Sequence, residues 1–156
     1  MRTTLRVAAV AAALFLLLPV AVVQAGAPKN VYISIETTLN APSYGPFVAT
    51  GLAVDAGVIC PNGDTVDLWV MGTGGQSRNG GTNYLVLKQF TCWDQSGTFT
   101  LKFQVRVDPN RGSSYSWSVF SGTDAYTTLR GSGTGYGVNS TVTYVNDLLF
   151  GAVFRR

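Results

Sequence analysis

Thr98-Phe99-Thr100-Leu101-Lys102-Phe103-Gln104-Val105-Arg106-Val107 decides the fold. In an extended chain, Phe99, Leu101, Phe103, Val105 and Val107 fall on one side. Thr98, Thr100, Lys102, Gln104 and Arg106 fall on the other. A period of two with one dry and one wet face predicts a half-buried antiparallel strand. Tyr115, Trp117 and Val119, alternating with Ser114, Ser116 and Ser118, repeat the pattern. The intervening Asp108-Pro109-Asn110-Arg111-Gly112 is turn chemistry, so the two runs form a hairpin.

The same alternation spreads outward. Val31, Ile33 and Ile35 alternate with Tyr32, Ser34 and Glu36. Residues 47–55 read as a strand bent or bulged at Gly51. Residues 57–60 and 65–71 flank Pro61-Asn62-Gly63-Asp64, whose Asn-Gly core predicts a tight hairpin. Residues 84–92 form a strand that Asp94-Gln95-Ser96-Gly97 turns into the next. Residues 125–130, 141–145 and 148–154 complete the set, and 72–82 is the longest loop. About eight to ten short strands in sequence, without a helical period, indicate a sandwich or barrel. Closure removes sheet edges, so the expectation is all-β: a closed antiparallel up-and-down barrel of about eight strands.

Arg2 and Arg6 precede an apolar run over 7–23, and Val23-Gln24-Ala25 then offers a peptidase site ahead of Gly26. That order predicts a cleaved secretory signal over 1–25, bacterial in type, and one barrel domain over 26–156. The whole chain carries 11 basic and 8 acidic residues; setting aside Arg2 and Arg6 leaves nine against eight. No basic patch remains to bind nucleic acid or an anionic membrane, and Arg155-Arg156 reads as a solvated tail. The two cysteines, Cys60 and Cys92, in an exported chain predict a structural disulfide. On the chain-entropy model such a loop stabilises the fold by roughly 3–4 kcal/mol. Two thiols without histidine cannot complete a zinc shell, so no metal site is expected.

The stretch from Trp117 through Gly122-Thr123-Asp124-Ala125-Tyr126-Thr127-Thr128-Leu129-Arg130-Gly131 to Gly135 resembles a motif of the allene oxide cyclase-like and dirigent-like barrels. That motif runs Gly-Thr-Gly-x-(aromatic)-x-x-(Leu/Ala)-Arg-Gly. Phe47-Val48-Ala49-Thr50-Gly51, Phe90-Thr91-Cys92 and Gly97-Thr98-Phe99 fit the same pattern, and exported bacterial proteins of the superfamily are the nearest likeness. Asp124 stands where the motif has its second glycine, and the acidic cavity residues of dirigent proteins have no placed counterpart. The resemblance therefore implies a cavity more readily than a reaction, and association through barrel walls into homo-oligomers. Read from the residues alone, Tyr126 and Leu129 plug one barrel end from an irregular turn. Gly131, Gly133, Gly135 and Gly137 line one side of the next strand, with Tyr115, Trp117 or Tyr136 supplying the missing bulk.

The chain has no histidine, which removes the usual general base, the usual triads and most transition-metal sites. No catalytic residue is identified and no cofactor is implied. Asp55, Asp64, Asp94 and Asp108 are assigned to turns. Glu36 and Asp67 are expected to face outward, since charged groups are seldom buried unpaired. Phe99, Phe103, Trp117 and Tyr126 are the candidate cavity residues. Arg130 joins them as the candidate inward cation, against the competing reading that it packs across the corner on an Asp. The expected function is a secreted module that binds a small apolar molecule in lipocalin-like fashion or serves structurally, with no stable membrane insertion. The alternative is a cofactor-free cyclase, isomerase or dirigent-type protein working in the same cavity. An outer-membrane barrel would instead turn its apolar faces to lipid.

Overall fold

The computed structural model describes residues 26–40, 42–73, 81–108, 111–138, 141 and 143–156. The expected leader, residues 1–25, lies outside them, as does most of the loop expected over 72–82. Eight strands close into one antiparallel barrel: β1 Lys29–Thr38, β2 Tyr44–Thr50, β3 Asn62–Gly72, β4 Thr82–Cys92, β5 Thr98–Asp108, β6 Gly112–Gly122, β7 Leu129–Val138 and β8 Tyr144–Arg155. Each pairs with its sequence neighbour, and β8 returns to β1 through ten registered pairs from Lys29↔Val153 to Thr38↔Tyr144. The decisive alternation holds over most of β5, but Thr100 is buried beside a register shift at Thr100/Leu101 and Val107 is exposed near the strand's end. Phe99, Leu101 and Phe103 are buried inside, while Gln104 and Arg106 face out.

Several readings are corrected. Residues 47–55 are not one strand: β2 stops at Thr50, Gly51 takes φ +102°, and a single helical turn, α1, spans Leu52–Asp55. Such a φ is open to glycine at little cost and ends the ribbon there. Residues 57–60 form no strand but return the chain across the barrel end, with Ile59 and Cys60 buried. Asn62 and Gly63, expected in a turn, lie within β3, where Gly63 pairs with both Phe47 and Cys92. Asp64 accordingly sits in a strand, and its carboxylate accepts a 2.6 Å hydrogen bond from Trp93 Nε1. The strand expected over 125–130 is a 3-10 turn at Asp124–Tyr126 followed by β7. Residues 141–145 and 148–154 contribute to a single strand, β8, not two.

The two halves of the interior differ. Around the connections 51–61, 93–97 and 123–128 the barrel is solid. Phe90 and Phe99 stack with ring centroids 4.8 Å apart, Phe47 meets Phe90 edge-on at 5.1 Å, and Tyr126 meets Phe99 edge-on at 5.4 Å. Tyr126 and Leu129 are each 1% exposed, so this turn plugs the end as its sequence indicated. The Cys60–Cys92 disulfide ties the 51–61 return to the end of β4. It points to an oxidising, extracytoplasmic compartment. Arg155 is not a solvated tail: its Nε and Nη2 donate to Val58 O at 3.1 Å and Gly57 O at 2.8 Å, and its guanidinium lies 5.2 Å over the Tyr126 ring.

Candidate functional site

The other half of the interior is a cup. Its cavity of about 460 Å³ opens toward the end that carries the β1–β2, β3–β4, β5–β6 and β7–β8 connections. Val86, Phe103, Val105 and Val145 supply apolar wall, with Leu39 and Val107 toward the rim. Beneath them a polar level crosses the barrel. Each of its members takes an inward position dictated by strand alternation. Lys88 lies between Val86 and Phe90 on the inner face of β4, and Asp147 between Val145 and Leu149 on that of β8. Tyr115 comes two residues before the buried Trp117 on β6, and Asp67 two residues after the buried Thr65 on β3.

Two couples make up this level. Asp67 and Lys88 are registered partners across β3 and β4, and Lys88 Nζ lies 2.7 Å from Asp67 Oδ1. Their side chains are 12% and 5% exposed, which makes this an interior ion pair. Asp147 accepts from Thr37 Oγ1 at 2.8 Å on one oxygen and from the Tyr115 hydroxyl at 2.5 Å on the other. With its proton on Asp147, the Tyr115 oxygen can accept from Ser113 Oγ, 2.7 Å away. The glycines of β7 make room for these rings. A side chain at Gly137 would meet the Tyr115 hydroxyl at 2.6 Å, and one at Gly133 would meet the Trp117 ring at 2.6 Å. Tyr115 and Trp117 thus supply the bulk that the sequence called for, whereas Tyr136 faces outward and stacks on Phe150.

Burial pushes the Asp147 carboxyl above the ordinary carboxylate range, against its hydrogen bonds from Tyr115 and Thr37 and the field of Lys88. Burial, with the Asp147 charge beside it, likewise pushes the Tyr115 hydroxyl up. A carboxyl of this kind can hold or take a proton inside a largely apolar cup. Its stability consequence has a definite sign. Folding raises the Asp147 pKa, so its contribution is fully present below the unfolded value of about 3.9 and is lost as pH rises through the folded value. In thermal melts from about pH 4 upward, Asp147→Asn should therefore gain stability relative to the parent as pH rises. A constant difference between the two proteins across that range would show that Asp147 does not titrate as its burial requires.

Of the five residues singled out from sequence, Phe103 alone lines the cup. Phe99 and Tyr126 pack the solid end, where the Tyr126 hydroxyl lies 2.6 Å from Ser96 Oγ. Trp117 is buried over Gly133 and Gly151 and donates from Nε1 to Thr134 O at 3.1 Å. Arg130 does not point inward. It alternates with the buried Leu129, is exposed, and folds its guanidinium back onto Leu129 O at 2.6 Å. Glu36 faces out as expected, but Asp67 faces in, because Lys88 on the neighbouring strand supplies the partner that makes burial tolerable. Lys88, Asp147 and Thr37 escaped the sequence reading; the parity of Val86-Lys88-Phe90 and Val145-Asp147-Leu149 was the signal that could have found them.

A depression of about 650 Å³ also lies across β4, β5 and β6, but its one charged lining residue, Arg106, is exposed. Fold and cup together define an eight-stranded antiparallel barrel, solid at one end and hollow with a charged floor at the other. Comparison with known proteins finds no matching family model, curated relative or solved structure.

Proposed function

We propose that this protein is an exported binding module, with residues 1–25 as its cleaved leader, that holds a small, mainly apolar molecule in the barrel cup. The carrying observation is the cup of about 460 Å³, walled by Val86, Phe103 and Val105 above an ionisable floor. Ligand pockets have this composition: apolar walls that supply affinity, and a few placed polar groups that fix orientation. The disulfide supports export, since such bonds persist in oxidising compartments. The further proposal of distant membership in the allene oxide cyclase-like and dirigent-like superfamily rests on the motif quoted above. Its Tyr126 and Leu129 plug a barrel corner here.

The neutral apolar dye N-phenyl-1-naphthylamine tests the binding role. Its fluorescence should rise on addition of the protein. Val105→Trp, which fills the cup from its wall, should weaken that response roughly tenfold or more, equivalent to about 1.4 kcal/mol of binding. Val86→Trp should do the same from the neighbouring strand β4, with both variants keeping the parent's melting behaviour. Absence of any dye response, or equal responses in all three proteins, would leave the barrel as a structural module.

One observation favours a second reading, catalysis without a cofactor. The Tyr115–Asp147 couple places a carboxyl of raised pKa inside the cup, where it can relay a proton to a bound molecule. If that reading holds, Asp147→Asn abolishes turnover of an apolar substrate while dye binding persists.

A further inference from the structure

Resting on the binding role just proposed, the polar floor narrows the class of ligand. Lys88 carries three N–H donors. Its side chain is 5% exposed, and its ammonium lies against a single oxygen, Asp67 Oδ1 at 2.7 Å. That contact lacks hydrogen-bond geometry, and among the described residues no other acceptor reaches Nζ. A buried donor left unmatched is costly, and Lys88 borders the cup, so an acceptor arriving with a ligand would relieve it.

The charges around Lys88 restrict what that acceptor can be. Among the described residues, Asp67 and Asp147 border the cup at its floor, two carboxyl groups against the one ammonium of Lys88. A second carboxylate brought to Lys88 would be desolvated beside that excess of acid. An ammonium-headed ligand would suit the acids but would displace or repel Lys88, leaving its donors as they were. A neutral oxygen satisfies both conditions. Carbonyl oxygen is the most direct case, having two lone pairs and no proton to place.

We propose that the cup selects neutral carbonyl compounds, ketones or aldehydes on a small apolar skeleton, with Lys88 donating to the carbonyl oxygen. Val86 and Phe103, on the inward positions next outward along β4 and β5, form the adjoining wall for the skeleton.

Displacement of N-phenyl-1-naphthylamine by 2-nonanone and by its methylene isostere, 2-methyl-1-nonene, tests this. The ratio of the two affinities cancels the shape and transfer terms common to both. The comparison protein is Lys88→Met/Asp67→Asn, which removes the ion pair without stranding either charge. The ketone-to-alkene ratio should fall by about tenfold in that variant, the loss expected for a hydrogen bond to a charged donor. Nonanoate and nonylamine should compete less well than the ketone against the parent protein at neutral pH. An unchanged ratio, or tighter binding of nonanoate or nonylamine than of 2-nonanone, overturns the carbonyl assignment while the cup remains a binding site. If the dye, the ketone and the alkene all fail to bind, the binding role itself falls, and this inference with it.

Discussion

Trp117→Ala is expected to lower folding stability by about 3–5 kcal/mol, the usual range for emptying a buried large aromatic site. The indole is 3% exposed and rests on a registered glycine pair, Gly133 on β7 and Gly151 on β8. Neither glycine has a side chain to move into the space. Nor can one be added cheaply: a Cβ at Gly151 would lie 2.3 Å from the Trp117 ring and 2.4 Å from Ser132 O. The first obstacle is a side chain and the second is backbone, so they separate in a mutant cycle. Gly151→Ala should destabilise both the parent and the Trp117→Ala background. The two losses should be sub-additive by about 0.5–3 kcal/mol, because removing the indole relieves only one clash. Urea denaturation of the four proteins measures this. A loss below about 1 kcal/mol for Trp117→Ala would mean that β7 and β8 collapse onto the gap, a relaxation that their backbone contact does not permit.

The pairing of a large ring with glycines on the next two strands shows what alternation can carry. Phe99, Leu101 and Phe103 announced an interior because a period of two admits only two faces. The inward glycines of β7 announced a large partner for the same reason. The places where that reading failed share a different cause. At Gly51 the pattern predicts a bend or bulge within one strand, whereas its φ of +102° ends the strand and starts a helical turn that carries Ala53 into the core. Asn62-Gly63, a good turn signal locally, became strand because Gly63 fits between Phe47 and Thr91, where any side chain would collide. Both outcomes depend on contacts between distant segments, which no local pattern records.

The candidate site failed in a related way. Glu36 and Asp67 are expected outward because isolated charges are seldom buried, and that premise holds for single residues. Asp67 and Lys88 are not single: β3 and β4 bring them into register across the barrel wall, and each makes the other's burial tolerable. Asp147 is held by Thr37 from β1 and Tyr115 from β6, three strands that meet only when the barrel closes. Strict parity along β4 and β8 would have placed Lys88 and Asp147 inside, at odds with their chemistry. That conflict between position and residue type is what makes the floor a candidate site, and it is present in the sequence.

Lys88→Met is expected to cost about 3–5 kcal/mol at neutral pH, more than the pair itself contributes. The substitution keeps most of the aliphatic stem, so little packing is lost. What it removes is the countercharge of Asp67, whose side chain is 12% exposed, and the attraction that offsets burial of Asp147. The penalty is therefore one of stranded charge. Two further measurements identify it as such. The loss should shrink in acid, where a lone carboxylate can neutralise itself by taking a proton. Lys88→Met/Asp67→Asn should recover to within about 1 kcal/mol of the parent, because replacing both members of a buried pair is often neutral. If the double variant proved as unstable as the single, the floor would be held by the shape of the lysine stem and not by charge. If instead Lys88→Met were harmless at every pH, water would have to reach Asp67 through the cup, and the low-dielectric setting on which the proposed selectivity rests would not exist.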